Sequence, residues 1–239
     1  NPNNLITIPG SEETQKNYAV IEQELLQTGL VNAVTRTLSP ITDVWWKSPG
    51  PDYAGKPANQ SIIFSGISTD KDFAKTFGIK MLEGKDFSGT PSDSSSMLLN
   101  KAAVKALGLK NPVGMQMQYG RSHKNFTVIG VTDNVIMESP FKPVDPMMIF
   151  YRPEQSDIIS IRLNNGVLPQ KAIASIQSVF SKYNPAFAFE YQFVDKEYGK
   201  KFINETLVSR LSNIFAGLAI FICCIGLAGL AAFTIERRI

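Results

Sequence analysis

The sequence predicts an α+β fold, in which a split β-α-β / β-β-α-β sandwich carries a small inserted α+β lobe and continues into a stalk and a transmembrane helix. Short apolar runs with period-two alternation indicate strands, and apolar residues three or four apart indicate helices. The same order of elements resumes after an interruption near the middle of the chain. A charge-free apolar run near the C-terminus predicts the membrane helix.

The first β-α-β unit is predicted from Leu5–Ile8, a helix, and Val31–Leu38. Ser11 is a suitable N-cap for the helix because its hydroxyl can accept a hydrogen bond from a free backbone N–H. The helix has an apolar stripe and ends at Gly29. The stripe consists of Tyr18, Ile21, Leu25 and Leu26.

Residues 39–60 are rich in proline and glycine and are predicted to form a long loop. Loops of this length in compact domains are usually functional or connect two lobes. The loop contains Trp45 and Trp46, the only two tryptophans of the chain. The pair can pack against a neighbouring lobe, or it can be an exposed contact for a partner.

Residues 61–140 are expected to form the inserted lobe, with Thr69 or Asp70 capping a short helix that contains Phe73 and Phe77. A helix over Lys101–Leu107 is predicted as well. The predicted strands are Ile62–Ser68, Ile79–Leu82, Met97–Asn100, Met115–Tyr119 and Phe126–Thr132.

The main sandwich is predicted to comprise residues 1–60 and 141–195. Its second part contains strands over Met147–Tyr151 and Ile158–Leu163, and a final strand over Phe187–Val194. A helix is predicted to begin at Pro169, because proline fits the first helical position. Its expected buried face consists of Ala172, Ile173, Ile176, Val179 and Phe180.

Residues 211–235 contain no Asp, Glu, Lys or Arg and are predicted to cross a membrane. A helix of this length measures about 37 Å, and the hydrocarbon core of a bilayer is about 30 Å thick. Residues 196–210 are the predicted stalk, and residues 236–239 begin a cytoplasmic segment. Candidate stalk-coupling residues are Asp195, Phe202 and Leu207, and candidate helix-packing residues in the span are Gly226, Gly229, Ala228 and Ala232.

The positive-inside rule places Arg237 and Arg238 in the cytoplasm and residues 1 to about 210 outside it. Lys200, Lys201 and Arg210 on the other flank weaken this inference. The first residues are polar and do not form a secretory signal. We therefore expect the sequence to be part of a longer membrane protein.

Composition and motifs argue against nucleic-acid binding, cofactor binding and catalysis. The chain carries 24 basic and 21 acidic residues, and the 22 and 20 that precede Glu236 nearly cancel. The only histidine, His123, has cationic neighbours, whereas a Ser/His/Asp triad requires a carboxylate beside its histidine. No metal-ligand spacing or phosphate-binding glycine motif is present. We expect no catalytic, metal or cofactor site.

Several stretches resemble the MacB/FtsX-type permeases of bacterial ABC transporters, over one periplasmic core domain and the transmembrane helix that follows it. They are FGIKMLEGKDF (77–87), LLNKAAVKALGLKNPVG (98–114), FTVIGVTDN (126–134), FEYQFVDKEY (189–198) and the terminal FAGLAIFICCIGLAGLAAFTIERRI. Their order and spacing along most of the chain carry the resemblance. It implies that residues 1–60 and 141–195 form a porter-like lobe.

The resemblance implies mechanotransmission in the inner membrane, in which a cytoplasmic ABC ATPase subunit drives the periplasmic lobes through the stalk. It also implies a second permease copy or half, and a periplasmic protein, peptide or lipoprotein partner. The family's cytoplasmic continuation after the basic residues lies outside this sequence, so we expect no ATP coupling by this chain alone. A membrane-tethered sensory or ligand-binding module without an ATPase remains the alternative.

Overall fold

The computed structural model describes residues 4–137, 143–185 and 188–236, with the backbone alone at 202, 204–206 and 231–236. The chain divides into two compact units, residues 1–197 and residues 198–239. Helices and a single mixed sheet make up the first unit, which confirms the predicted α+β class.

Within the described residues, the sheet has twelve strands in the order β12-β1-β11-β2-β5-β10-β7-β9-β8-β4, with β3 on β5 and β6 on β9. The strands are β1 Leu5–Pro9, β2 Val31–Thr37, β3 Trp46–Pro49, β4 Asp52–Tyr53, β5 Ile63–Thr69, β6 Met81–Gly84, β7 Ser96–Asn100, β8 Gln116–Tyr119, β9 Lys124–Thr132, β10 Met147–Tyr151, β11 Ile158–Leu163 and β12 Gln192–Phe193. The helices are α1 Glu12–Lys16, α2 Tyr18–Gln27, α3 Phe73–Phe77, α4 Lys101–Leu107, α5 Pro169–Tyr183 and α6 Val194–Glu236.

The first half of the sheet, defined as β12, β1, β11 and β2, is antiparallel throughout. Alternate residues of its strands face α2 and α5, as the period-two pattern requires. The resulting hydrophobic core joins residues from both ends of the first unit, including Ile6, Val34, Ile161 and Ile176. Sequence-distant segments therefore share one core.

The second half of the sheet, defined as β5, β10, β7, β9, β8 and β4, contains two parallel pairs, β5 with β10 and β7 with β9. Its own core packs under α4 and includes Phe64, Leu99, Phe126 and Phe150. Asn100 fixes the start of α4, because its side-chain oxygen accepts hydrogen bonds from the backbone of Ala103 at 2.8 Å and of Met147 at 2.9 Å.

The proline-rich segment 39–60 is more regular than its composition predicts. It contains β3, which pairs with β5, and β4, which pairs with β8. Both strands are short; β3 pairs with β5, the next strand but one, and β4 pairs with the more distant β8. The composition indicated a loop because such strands are formed by tertiary pairing rather than by local preference.

The predicted final strand, Phe187–Val194, is wrong in length. The structure pairs only Gln192 and Phe193 with β1, and residues 186–187 lie outside the described residues. The backbone groups of Asn4 and Gly10 hydrogen-bond toward β11. Because successive residues of a strand direct their backbone groups to opposite neighbours, the backbone of Pro9 is directed toward β12. Proline has no N–H to donate, which removes a ladder hydrogen bond at the point where the pairing stops.

The expected capping of α3 by Thr69 or Asp70 is also wrong. The N-cap position is Asp72, at a φ of 59°, and its side chain makes no capping hydrogen bond. Instead, the carboxylate of Asp86 accepts the backbone N–H of Ala74 at 2.7 Å. Asp70 is buried elsewhere, in the contact described below.

The helix predicted after Ser11 is interrupted at Asn17, which separates α1 from α2. Ser11 caps α1 as predicted, in a reciprocal arrangement with Thr14. Of the expected stripe, Tyr18, Ile21 and Leu25 are buried, whereas Leu26 is exposed. Glu22 is buried although the stripe did not include it. It faces Lys71, in the segment that connects β5 to α3.

The C-terminal helix α6 runs without interruption from Val194 to Glu236. Within the described residues, one stretch is long and apolar enough to cross a membrane, Leu207–Leu230. It begins four residues before the predicted span. The predicted end at Ile235 and the flanking Arg237 and Arg238 lie among residues whose side chains or backbone are not described.

Candidate functional site

The two tryptophans of segment 39–60 occupy different environments. Trp46 begins β3 opposite Gly66 on β5. Its ring packs beside Tyr119 and Phe150, each at 5.8 Å between ring centroids. A Cβ added to Gly66 would lie 2.2 Å from the Trp46 ring, so this position requires glycine. Trp46 therefore contributes to the core of the second half.

Trp45, in contrast, is 59% exposed. The loop that presents it is anchored, because the preceding residues Ile41 and Thr42 are buried. A large aromatic side chain held at the surface on an anchored loop is suited to contact a partner. Only Trp45 of the predicted pair keeps this geometry.

The junction between the two halves of the sheet contains a nearly buried ion pair, Arg36 with Asp70. Arg36 Nε donates to one carboxylate oxygen of Asp70 at 3.1 Å. The Arg36 backbone N–H donates to the other oxygen at 2.9 Å, and the Thr35 hydroxyl donates to it at 2.6 Å. The carboxylate is thus held by three donors from β2.

The same guanidinium reaches the two N-terminal helices. Arg36 donates to the Gln15 side chain at 2.5 Å, and its guanidinium carbon lies 3.9 Å from the centroid of the Tyr18 ring. Such cation–π contacts are strongest when the cation is desolvated. Arg36 therefore links α1, α2 and β2 to the end of β5.

Burial dominates the electrostatics of this junction. Burial raises the pKa of the Asp70 carboxyl, although hydrogen bonds from Thr35 and Arg36 act in the opposite direction. Burial, assisted by the nearby Asp70, raises the pKa of the Tyr18 hydroxyl well above its usual value. The next residue, Lys71, forms an ion pair with Glu22 at 3.1 Å. Asp70 and Lys71 therefore each form an ion pair, Asp70 with Arg36 of β2 and Lys71 with Glu22 of α2.

Sequence reasoning missed this junction. Asp70 follows a predicted strand, which favours a capping or turn role, and Arg36 lies within a predicted strand with no charged neighbour. Their contact joins positions 34 residues apart, so no local periodicity reports it. The available signal was an arginine in an otherwise apolar or hydroxyl-bearing strand, because a half-buried strand position rarely accommodates an unpaired charge.

The predicted stalk-coupling residues lie along α6. Its first residue, Val194, is buried in the first unit, and Asp195 follows as an exposed residue of the first turn. Leu207 is 57% exposed. The side chain of Phe202 lies outside the described residues. α6 begins at Val194, directly after β12.

The predicted packing residues lie within α6 beyond the stalk. Gly226 and Gly229 each have open space where a Cβ would stand, and Ala228 is exposed. The side chain of Ala232 lies outside the described residues. Small residues at such spacing permit close approach of another helix in a membrane.

His123 lies at an exposed hairpin tip with a φ of 48°. Across the described residues, no group of three or more His, Cys, Asp or Glu side chains is placed to hold a metal ion.

Comparison with known proteins identifies the domain type. The family described as "MacB-like periplasmic core domain" matches residues 1–179. A comparison with curated protein sequences finds no significant match. Several solved structures share the fold.

The periplasmic region of MacB from Actinobacillus actinomycetemcomitans is 14% identical, with a TM-score of 0.56, over 83% of this chain and 92% of that one. A domain of a putative permease from Porphyromonas gingivalis is 16% identical, with a TM-score of 0.51, over 78% and 86% respectively. The extracellular domain of the noncanonic ABC-type transporter YknZ from Gram-positive bacteria is 14% identical, with a TM-score of 0.50, over 79% and 98%.

These likenesses establish the fold, and the family match over most of the chain establishes the family. The resemblance predicted from the sequence motifs is confirmed. The chain belongs to the MacB-like periplasmic core domain family, whose model matches residues 1–179.

Proposed function

We propose that this domain relays ATPase-driven movement across the inner membrane to act on an extracytoplasmic substrate or partner, by export, extrusion or mechanotransmission. The supporting observation is α6, one helix from Val194 to Glu236 that includes the candidate membrane span and starts directly at β12. A helix without a break transmits a push or a tilt along its axis, whereas a flexible linker would absorb it.

In this proposal, a separate cytoplasmic ABC ATPase subunit hydrolyses ATP, and it contacts parts of the protein outside this chain. Residues 196–210 act as the stalk, and Asp195, Phe202 and Leu207 couple it to the periplasmic lobes. A second permease copy or half packs against the membrane helix near Gly226, Ala228, Gly229 and Ala232. The small size of these residues supports this packing, because it permits close approach of another helix.

The proposed division of the periplasmic part keeps a porter-like lobe of residues 1–60 and 141–195 and an inserted lobe of residues 61–140. One core supports the discontinuous lobe, because it combines residues 6–34 with residues 159–180. The other core draws mainly on residues 64–128. It also includes Met148 and Phe150, with Trp46 and Tyr53 packed against it, and these four residues belong by sequence to the proposed porter-like lobe.

We further propose that Trp45 contacts a periplasmic protein, peptide or lipoprotein partner. Its exposure on an anchored loop supports this role, and Trp46 is assigned to the core instead.

The test is purification of the full-length membrane protein from native membranes, scored for a co-purifying ATPase whose activity depends on it. Recovery of that ATPase supports the permease proposal. Its absence, together with recovery of a signalling protein, would favour a membrane-tethered sensory or ligand-binding module.

A further inference from the structure

The two halves of the sheet meet at a narrow backbone junction. Among the described residues, β2 pairs with β5 only at Thr37 and Thr69. Two hydrogen bonds flank this pair, from Leu38 N–H to the Ser68 carbonyl at 2.9 Å and from Asp70 N–H to the Arg36 carbonyl at 3.2 Å. Within the two halves, β1 pairs with β11 over five residues and β5 pairs with β10 over five. Strand pairing alone therefore fixes the two halves weakly.

Each half has its own hydrophobic core, and further buried apolar side chains, among them Phe73 and Phe77 of α3, belong to neither of these two cores. The first core lies with α2 and α5, and the second lies with α4. Hydrophobic contacts are not directional, so two separate cores do not by themselves set the angle between the halves. Directional contacts across the junction can set that angle together with the packing of α3 against β2 and β11.

The Arg36–Asp70 contact supplies such directional contacts. Asp70 is 3% exposed, and its two carboxylate oxygens accept three hydrogen bonds from Thr35 and Arg36. Charge-assisted hydrogen bonds have narrow geometric tolerance and gain strength away from water. A change in the angle between the halves would break these bonds and leave a buried cation and a buried anion unpaired.

The helix packed on the other face of the junction adds a second tie. α3 packs against β2 and β11, and the Arg162 Nε on β11 donates to the Thr76 carbonyl at 2.8 Å. The crossing that leads from β5 to α3 carries Asp70, Lys71 and the left-handed Asp72. Since Asp70 and Lys71 are both ion-paired to the first half, this crossing has little freedom to shift.

We infer that the Arg36–Asp70 pair is an electrostatic clasp that makes the two halves of the sheet move as one body. The clasp goes beyond the proposed relay, because it concerns the stiffness of the periplasmic unit whatever drives it. A buried pair of this kind adds little stability relative to an apolar pair of the same shape, but the bond geometry of this one fits a single arrangement of the two halves. Its loss should therefore loosen the angle between the halves more than it unfolds either half.

The experiment measures distances between spin labels in the full chain in lipid nanodiscs, with Cys223 and Cys224 replaced by alanine. One label pair, Gln23→Cys with Lys105→Cys, reports on the angle between the halves. A second pair, Gln23→Cys with Ser178→Cys, lies within the first half. All three positions are exposed.

With the clasp intact, both pairs should give single narrow distance distributions. Asp70→Asn keeps the shape of the side chain and removes its charge. It should broaden the distribution between the halves and leave the one within the first half unchanged. Arg36→Lys keeps the charge but loses the forked geometry of the guanidinium. It should broaden the distance distribution between the halves less than Asp70→Asn does. The matched control is Asp52→Asn, which breaks an exposed ion pair with Lys56.

A disulfide between Thr37→Cys and Thr69→Cys should restore the narrow distribution to the Asp70→Asn protein. These residues form a pair between two hydrogen bonds, where antiparallel strands approach closely. Equal widths for Asp70→Asn, Arg36→Lys and the Asp52→Asn control would overturn the inference. Equal broadening of both label pairs would overturn it as well, because that result indicates general loosening.

Discussion

At the scale of single residues, Gly84 is held where no other residue fits. Its φ is +68°, and an added Cβ would lie 2.1 Å from the Ile129 carbonyl oxygen. We expect Gly84→Ala to cost about 1 kcal/mol or more for the left-handed backbone. The clash should add about 1–3 kcal/mol. The measurement is the unfolding midpoint in urea, followed by tryptophan fluorescence in detergent.

Gly108 is the matched control, because its φ is +69° and nothing lies within 4 Å of an added Cβ. Gly108→Ala should show the backbone cost without the clash. Equal losses for the two variants would show that the close approach to Ile129 is unimportant.

The two tryptophans give a second prediction. Trp46→Ala should destabilise the protein by at least about 2 kcal/mol, since truncation of a packed aromatic leaves a cavity. Trp45→Ala should change the unfolding free energy by less than about 0.5 kcal/mol, as expected for an exposed position. Urea unfolding of the two variants, each followed through the remaining tryptophan, measures both values. A large loss for Trp45→Ala would contradict the assignment of its ring to the surface.

Residue-scale prediction from the sequence succeeded where the cause is local. Ser11 as an N-cap depends on its neighbour Thr14, and both lie within one helical turn. It failed for Asp70, because the strand that holds its counterion lies 34 positions earlier. The sequence also left Trp45 and Trp46 as an equivalent pair, since neither local pattern nor composition shows which of two adjacent rings faces a core.

At the scale of elements, α2 carries two glutamates with opposite pKa shifts. Burial raises the pKa of Glu22, despite its ion pair with Lys71. Hydrogen bonds from Lys182 and Tyr183 lower the pKa of Glu24. A raised carboxyl pKa means that the folded state binds the proton more tightly than the unfolded state. Stability from Glu22 therefore falls as pH rises above about 4.3, the unfolded value, toward the raised pKa.

Glu24 has the opposite sign. Its contribution to stability is present above the unfolded pKa and is lost as pH falls through the lowered folded pKa. The unfolding free energy of wild type minus that of Glu22→Gln should decrease with rising pH. The same difference for Glu24→Gln should increase. Urea unfolding at a series of pH values from about 3 to about 8, a range that covers carboxyl titration, measures how each difference changes with pH. Slopes of the same sign would contradict the assigned environments.

The continuity of α6 is testable within the second unit. Spin labels at Lys200→Cys and Leu218→Cys should lie about 27 Å apart along the axis, at 1.5 Å per residue. Ser209→Pro should broaden or shorten this distance, because proline removes a helical hydrogen bond and clashes with the preceding turn. Ser209→Ala is the matched control. A broad distribution in wild-type protein in nanodiscs would contradict a continuous stalk.

The long elements were predictable because their cause is periodicity. α5 begins at Pro169 as predicted, and of its expected face Ala172, Ile176, Val179 and Phe180 are buried. β3, β4 and the short β12 were not predictable at their observed lengths. Their extent is decided by partner strands and, for β12, by the missing N–H of Pro9.

At the scale of the whole molecule, the order of elements predicted an α+β fold in which segments from both ends of the first unit come together, and β1, β2 and β11 do lie side by side in the sheet. The family match confirms the domain type that the motifs indicated. What the sequence could not predict is that one sheet runs through both halves, with β5 and β10 at its centre. In the proposed relay, a movement of the sheet edge at β12 would reach the far strands through this one sheet.

The central claim is that ATP-driven movement reaches these periplasmic lobes through α6. The most direct measurement is the distance between spin labels at Lys105→Cys on two permease copies, in the transporter assembled with its ATPase and lacking Cys223 and Cys224. We expect this distance to shift between the nucleotide-free and the ATP-bound states. An unchanged distribution in the two states would contradict it.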